Sequence, residues 1–339
     1  MILSSPYVRQ EASVTRVMAQ VCLALLPGIA AYTWVIGPAI LVQIALASAA
    51  ALAGEALMLK IRGKPLALFL SDGSALVTAW LIALTFPPLC PWWLIVVGTL
   101  FAIVVAKHLY GGLGQNPFNP AMIAFAACIV SFPALMSQWP SQDLQLSFGE
   151  QLRVIFGLSP HLDSLTAATP LDALKTGLKL GEEAGASVAG LLANTQTFGH
   201  VGGRGWEWIT LAYLIGGLWL WQRRIITWHV PISFLAAMAT ISGGLWLYDA
   251  REFANPLFHL FSGGVMLGAF FIATDPVTCA STPRGKLIFG AGCGLLAYII
   301  RVFGGYPDGV AFAVLFLNIC APLISLLTQP PVFGAKGRN

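Results

Sequence analysis

Residues 163–172 read D-S-L-T-A-A-T-P-L-D, and they hold the sequence's clearest arrangement for covalent chemistry. The Thr169 hydroxyl stands among small neighbours, with an acidic group, Asp163, six positions before it. Small flanking residues let a bulky group or a modifying enzyme approach the oxygen, and a loop position gives access. The same letters also suit an Asx or ST turn, or the first turn of a helix. Four carboxylates suggest a second chemistry: Glu55, Asp72, Asp275 and Asp308 lie inside or at the margins of apolar runs. An ionised carboxylate in hydrocarbon costs about 2.5–3.5 kcal/mol even on the lenient insertion scale, so such groups face a polar interior and serve as cation ligands or proton carriers. Asp72 and Asp275 precede expected helix starts, where capping of free N–H groups is an equal alternative.

The elements that must position these groups are set by composition. In 339 residues, 57% are hydrophobic and only 9% charged, and the mean hydropathy is +0.79. Globular chains carry roughly a quarter charged residues, so this chain cannot coat a water-facing surface and is expected to be a membrane protein. The net charge of +4 comes from scattered basic residues with no aromatic-interleaved strip, which argues against nucleic acid as a partner. Six cysteines fall singly in or beside apolar runs with no C-x-x-C pair, so neither a disulfide frame nor a metal site is indicated.

A bilayer-crossing helix needs about 20 apolar residues. Such stretches lie near 17–36, 38–59, 66–86, 92–110, 117–138, 206–222, 227–248, 257–274, 286–302 and 308–328. The first is expected to be a retained span, because no small-residue cleavage site follows Arg9 and Arg16. With the amino terminus in the cytoplasm, twelve of the 18 basic residues fall inside: Arg9, Arg16, Lys60, Arg62, Lys64, Lys107, Arg223, Arg224, Arg284, Lys286, Lys336 and Arg338. Arg153, Lys175, Lys179, Arg204, Arg251 and Arg301 fall outside. The positive-inside rule therefore predicts both termini cytoplasmic. Residues 139–205 form the one long polar segment and would face the periplasm; 1–138 and 206–339 are the two membrane parts.

Those two parts echo each other. S-D-G-S-A-L-V-T (71–78) followed by K-H-L-Y-G-G-L-G-Q-N-P-F-N-P-A-M (107–122) compares with T-D-P-V-T (274–278) followed by R-V-F-G-G-Y-P-D-G-V-A-F (301–312). Five spans in each part would place the second copy upside down, and Gly/Pro-broken helices at matching positions predict a polar site near the bilayer midplane. The expected fold is all-α, with about ten transmembrane helices in two inverted five-helix repeats.

The pattern D-x-x-[ST]-x-A-T at 163–169 resembles the motif at which a flavin transferase joins FMN to the final threonine through a phosphoester. S-S-P-Y (4–7), L-Y-G-G-L-G-Q-N-P-F-N-P-A-M (109–122), A-T-P-L-D (168–172), L-G-A-F-F-I-A-T-D-P-V-T (267–278), R-G-K-L-I-F-G (284–290) and F-G-G-Y-P-D-G-V-A-F-A (303–313) extend the likeness over nearly the whole chain. They resemble the D subunits of the Rnf, or Rsx, ion-translocating electron transport complexes. That family is homologous to the B subunit of the sodium-translocating NADH:quinone oxidoreductase, whose fold is similar to urea transporters.

The resemblance implies covalent FMN on Thr169, with Asp163, Thr166 and Ala168 as recognition positions; Thr166 and Thr176 are nearby hydroxyls with which Thr169 could be confused. Ala167 departs from the Gly or Gln common in relatives. It also implies a second, noncovalent riboflavin, the Rnf A, B, C, E and G subunits as partners, a flavin transferase for maturation, and exchange of electrons between NADH and ferredoxin coupled to Na+ or H+. The location implied is the bacterial inner membrane, with the FMN loop periplasmic. The chain lacks a dinucleotide fingerprint and a cysteine set for iron–sulfur clusters, so NADH and ferredoxin would react on other subunits. The flavin ring is expected near 110–119 and 303–308. Fold alone would equally suit a small-solute channel or transporter, and the motif at 163–169 is what separates the two readings.

Overall fold

A computed structural model describes residues 13–141, 146–158, 166–181, 187–194, 196–306 and 308–330. Asp163 lies outside the described residues, as do the 4–7 motif and Arg9, Lys336 and Arg338. The chain is mostly helical. The first membrane part comprises α1 (Val14–Val35), α2 (Ala39–Ile61), α3 (Leu66–Leu70), α4 (Ser74–Thr85), α5 (Trp92–His108), α6 (Pro120–Ser131) and α7 (Pro133–Met136). The connecting segment holds β1 (Trp139–Pro140), α8 (Phe148–Ile155), β2 (Thr166–Ala167), α9 (Pro170–Leu180) and α10 (Val188–Leu192). The second membrane part holds α11 (Trp206–Gln222), α12 (His229–Tyr248), α13 (Pro256–Leu260), α14 (Val265–Leu267, prolonged by a π-helical turn Gly268–Ile272), α15 (Pro283–Phe303) and α16 (Val310–Leu327).

Helices occupy all ten expected stretches, and α1, α2, α12, α15 and α16 are long and apolar enough to cross a membrane. Leu41, Leu57, Phe316, Ile319 and Leu323 point outward and exposed, an apolar exterior that only a lipid solvent matches. The protein is thus polytopic in the membrane. Inside, the core is built on close helix contact. Gly290 and Gly294 lie one turn apart on α15, and a Cβ on either would approach Val230 O at 2.5 Å or Phe234 O at 2.1 Å on α12. The small residues let the two backbones touch, as membrane helices require when burial of apolar surface gives no net drive.

Three expected spans are interrupted, 117–138 only at Phe132 between α6 and α7. Stretch 66–86 breaks at 71–73, where Gly73 takes φ +77° and Asp72 Oδ1 accepts from the Ser74 backbone N–H (2.7 Å) and hydroxyl (2.6 Å). Stretch 257–274 breaks at 261–264, where Gly263 takes φ +68°. The sequence comparison matched S-D-G-S with T-D-P-V-T, yet the second interruption is F-S-G-G, and Asp275 comes only after the span ends. Asp275 does not cap α15 either, since Thr282 does so by accepting from Gly285 N at 2.9 Å. Its carboxylate instead closes a turn, accepting from Val277 N (3.2 Å) and the Thr278 hydroxyl (3.1 Å). One departure from an all-helical chain is the ladder in which Trp139 pairs with Ala167 and Pro140 with Thr166.

Candidate functional site

The 139–140/166–167 ladder is what places Thr169. It ties the strand leading into α9 to the chain leaving α7, and Thr169 then becomes the N-cap of α9, its Oγ1 accepting from Asp172 N at 3.3 Å. Pro170 follows at the first helical position, where its missing N–H costs nothing. Thr166 and Thr169 are half-buried, whereas Ala167 and Ala168 are exposed. From its other face α9 packs Leu171 and Leu174 against Val188, Phe198 and Phe258. Lys175 donates to the carbonyls of Arg301 (3.1 Å), Tyr306 (3.3 Å) and Gly304, binding α9 to the orphan carbonyls at the end of α15. Burial, with the nearby Lys179, pushes the Lys175 ammonium below the usual lysine range.

Thr169 borders a cavity of about 380 Å³. Its walls come from Trp139 and Trp206, from Met122 and Phe125 on α6, and from the 305–311 segment with Tyr306 and Asp308. Trp139 meets Trp206 edge-on at 5.4 Å and Trp206 meets Tyr32 at 5.9 Å, so the aromatic wall continues into the core. The volume lies in the range of small-molecule sites, and the lining has their mixture of aromatic surface and a few polar groups. Asp172 and Asp308 contribute the charge, and of the two Asp308 is tied to several elements. Its Oδ2 accepts from Gly264 N at 2.7 Å, and its Oδ1 accepts from Val310 N at 3.3 Å and Arg301 Nη2 at 3.1 Å. Arg301 Nη1 donates to His259 O at 2.8 Å. This cluster spans the break between α13 and α14, and a Cβ at Gly263 would lie 2.5 Å from Asp308 Oδ2.

A second cavity, of about 190 Å³, lies against Ser74, Lys107, Asn116, Asn119, Thr274, Asp275 and Lys286 among others. Here Lys107 Nζ donates to both Glu55 oxygens (2.9 and 2.8 Å) and to Ser74 Oγ at 2.8 Å. Ser74 Oγ donates in turn to Asp72, so Glu55 and Asp72 belong to one chain of contacts. His108 Nε2 stands 3.1 Å from Glu55, and Arg62 Nη1 stands 3.4 Å from His108 Nδ1. The two cavities meet back to back: Ala121 lines one and the adjacent Met122 the other, as do Phe271 and Ile272.

The structure therefore brings Glu55, Asp72 and Asp275 to the Lys107 cavity and Thr169 and Asp308 to the other, with Thr166 beside Thr169 on β2. The expected ring environment divides the same way. Gly305, Tyr306 and Asp308 border the Thr169 cavity, but Leu113, Asn116 and Asn119 border the Lys107 cavity, so the 110–119 segment does not adjoin Thr169. Lys107 and Arg301, counted as loop charges from the sequence, are buried, with 2% and 3% of their surface exposed. Sequence reasoning also missed Lys175, Trp139, Trp206 and the Asn119–Asn318 contact (3.0 Å) that joins α6 to α16.

Comparison with known proteins agrees over the whole length. An Escherichia fergusonii protein, named as the D component of an ion-translocating oxidoreductase complex, is 47% identical over 350 residues, covering 99% of this chain and 98% of that one. Proteins of the same name from Pseudomonas aeruginosa and Escherichia coli are 49% identical over 334 residues and 48% over 350, covering 98% and 99% of this chain and 95% and 98% of theirs. Residues 1–334 match the model of one protein family, and the chain belongs to it: the NQR2, RnfD, RnfE family.

Proposed function

We propose that this chain is the membrane-embedded electron-carrying subunit of an Rnf-type complex, a redox-driven translocase that couples exchange between NADH and ferredoxin to movement of Na+ or H+. In this reading FMN is joined through a phosphoester to Thr169 by a flavin transferase, and the Rnf A, B, C, E and G subunits complete the machine. The observation that carries it is the place of the Thr169 hydroxyl. It lies between exposed Ala167–Ala168, where a transferase has access, and a cavity of about 380 Å³ with an aromatic wall.

The residues present fit the group. As N-cap, Thr169 sets a phosphoester at the positive end of α9, whose first-turn N–H groups favour an anion. Trp139, Trp206 and Tyr306 offer flat apolar surface to a ring, and Gly263, Gly264 and Gly305 let backbone approach it. A bound flavin supplies electron-transfer chemistry that side chains lack. The tether keeps the cofactor on a face where no cytoplasmic pool replaces it.

A noncovalent riboflavin does not fit the Lys107 cavity, which at about 190 Å³ is below the range of small-molecule sites and whose Asn116, Asn119, Ser74 and Lys107 already bond to protein groups. Glu55, Asp72 and Asp275 around that cavity are the carboxylates we assign to the ion path, with Asp308 in the other cavity. Exposed Lys60, Arg62, Lys64, Arg223, Arg224 and Arg284 support inverted five-helix repeats with both termini in the cytoplasm and the 139–205 segment in the periplasm of a bacterial inner membrane. The shared wall between the cavities speaks against the rival channel reading.

The test is ultraviolet-excited fluorescence of the denatured chain on a gel, with peptide mass spectrometry, after coexpression with the flavin transferase. Wild type is expected to fluoresce. Thr169→Ala and Thr169→Asn are expected dark, the second retaining a helix-capping side chain. A dark wild type with an active transferase, or a label found on Thr166 or Thr176, would overturn the assignment.

A further inference from the structure

The Thr169 cavity is lined by two carboxylates, Asp172 on α9 and Asp308, and Asp308 belongs to a layered charged pair. The Asp308 side chain is 27% exposed and borders the cavity; the Arg301 side chain is 2% exposed and stands behind it, 3.1 Å away. Three N–H donors from three elements fix the carboxylate: Gly264 at the start of α14, Val310 at the start of α16, and Arg301 near the end of α15. Arg301 is held as tightly, through His259 O. Among the described residues Asp308 is the one carboxylate within ion-pair distance of Arg301, and Arg301 Nε has no protein partner. Neither charge can swing away to follow a change in the cavity.

We propose that this pair tunes the reduction potential of the flavin in the Thr169 cavity, Asp308 lowering it and Arg301 limiting that effect. The inference rests on the attachment reading given above. Reduction places more electron density on the flavin, and a fixed negative charge on the wall opposes that while a fixed positive charge favours it. Arg301 is buried, so its field is weakly screened, whereas Asp308, 27% exposed, is screened in part but lies nearer the ligand. Removing the carboxylate exposes the ligand to an uncompensated guanidinium; removing the guanidinium leaves the carboxylate uncompensated. Arg301 and Asp308 are thus positioning residues for the redox step, acting through charge.

The experiment is a spectroelectrochemical titration of the full-length chain, coexpressed with the flavin transferase, purified in detergent and checked for covalent flavin by gel fluorescence. Asp308→Asn is expected to move the flavin midpoint to more positive potential. Arg301→Gln is expected to move it to more negative potential, and Arg301→Lys, which keeps the charge, to stay near wild type. Loss of packing alone would not produce shifts of opposite sign. Shifts in the same direction, or none, with the flavin still attached would overturn the inference while leaving attachment intact. Where one variant does not fold, the sign of the other against wild type decides. A wild-type chain without covalent flavin would instead strike the attachment reading, and this inference with it.

Discussion

Lys107 and Arg301 hold matching places in the two membrane parts of the chain. Each is the buried cation near the end of the helix that follows a broken one, each pairs with a carboxylate, and each reaches the break: Lys107 through Ser74 Oγ (2.8 Å), Arg301 through His259 O (2.8 Å). A broken membrane helix leaves backbone groups that must find partners inside the protein. Here the charges also settle which group meets the neighbouring cavity. Lys107 lines its cavity with Glu55 behind, whereas Asp308 lines the other with Arg301 behind.

Breaking the first of these pairs at Lys107 leaves the buried Glu55 with only the His108 imidazole, 3.1 Å away, beside it. Lys107→Met is expected to cost about 3–5 kcal/mol, seen as a lowered thermal midpoint of the detergent-solubilised chain. The double variant Lys107→Met/Glu55→Leu removes both charges and is expected to recover much of that loss. Equal midpoints for the single variant and wild type would mean that the pair contributes nothing to the fold.

Lys175 couples the segment that carries Thr169 to the membrane helices, because its three acceptors lie at the end of α15 and just beyond. A hydrogen bond to a charged group contributes about 1.5–3 kcal/mol, so Lys175→Met is expected to loosen α9 without unfolding the membrane part. Hydrogen exchange should rise several-fold over 170–180 and stay unchanged in α12 and α15. Unchanged protection of α9 would show that its apolar contacts with Val188, Phe198 and Phe258 hold it unaided.

The spans were legible because hydrocarbon thickness imposes a length that apolar runs must meet, and the break at Asp72–Gly73 was legible because it interrupts such a run with turn residues. The break at 261–264 was not, since F-S-G-G sits in an apolar stretch with no charge to mark it. Lys107 and Arg301 were read as loop charges because they stand at span ends, where snorkelling to water is the ordinary behaviour. Their burial depends on Glu55, 52 residues away in sequence, and on the fold that brings α13 beside α15. One came from each side of the topology count, so the bias toward cytoplasmic termini survives their removal. The Thr169 motif was visible as letters, but the cavity beside it is assembled from both membrane parts and has no local sequence pattern.

Glycines on the two packed helices α12 and α15 should respond in opposite ways. A Cβ at Gly294 would fall 2.1 Å from Phe234 O, which is backbone and cannot rotate aside, so Gly294→Ala is expected to force the helices apart and lower the thermal midpoint. Gly244 on α12 has nothing within 4 Å of the added carbon, and Gly244→Ala is expected to stabilise by about 0.5–1 kcal/mol through helix propensity. If the two variants melt together, the close α12–α15 contact is not what holds these helices.

The wall between the two cavities makes the last prediction. Two pairs of consecutive residues, Ala121–Met122 and Phe271–Ile272, each face one cavity with one member and the other cavity with the second, so helix backbone at these places forms the barrier. Met122 and Phe271 are both buried in it, and the cavities remain separate. Proteoliposomes carrying this chain alone are therefore expected to pass urea or other small solutes no faster than protein-free vesicles. Solute flux through the wild-type chain would restore the channel reading.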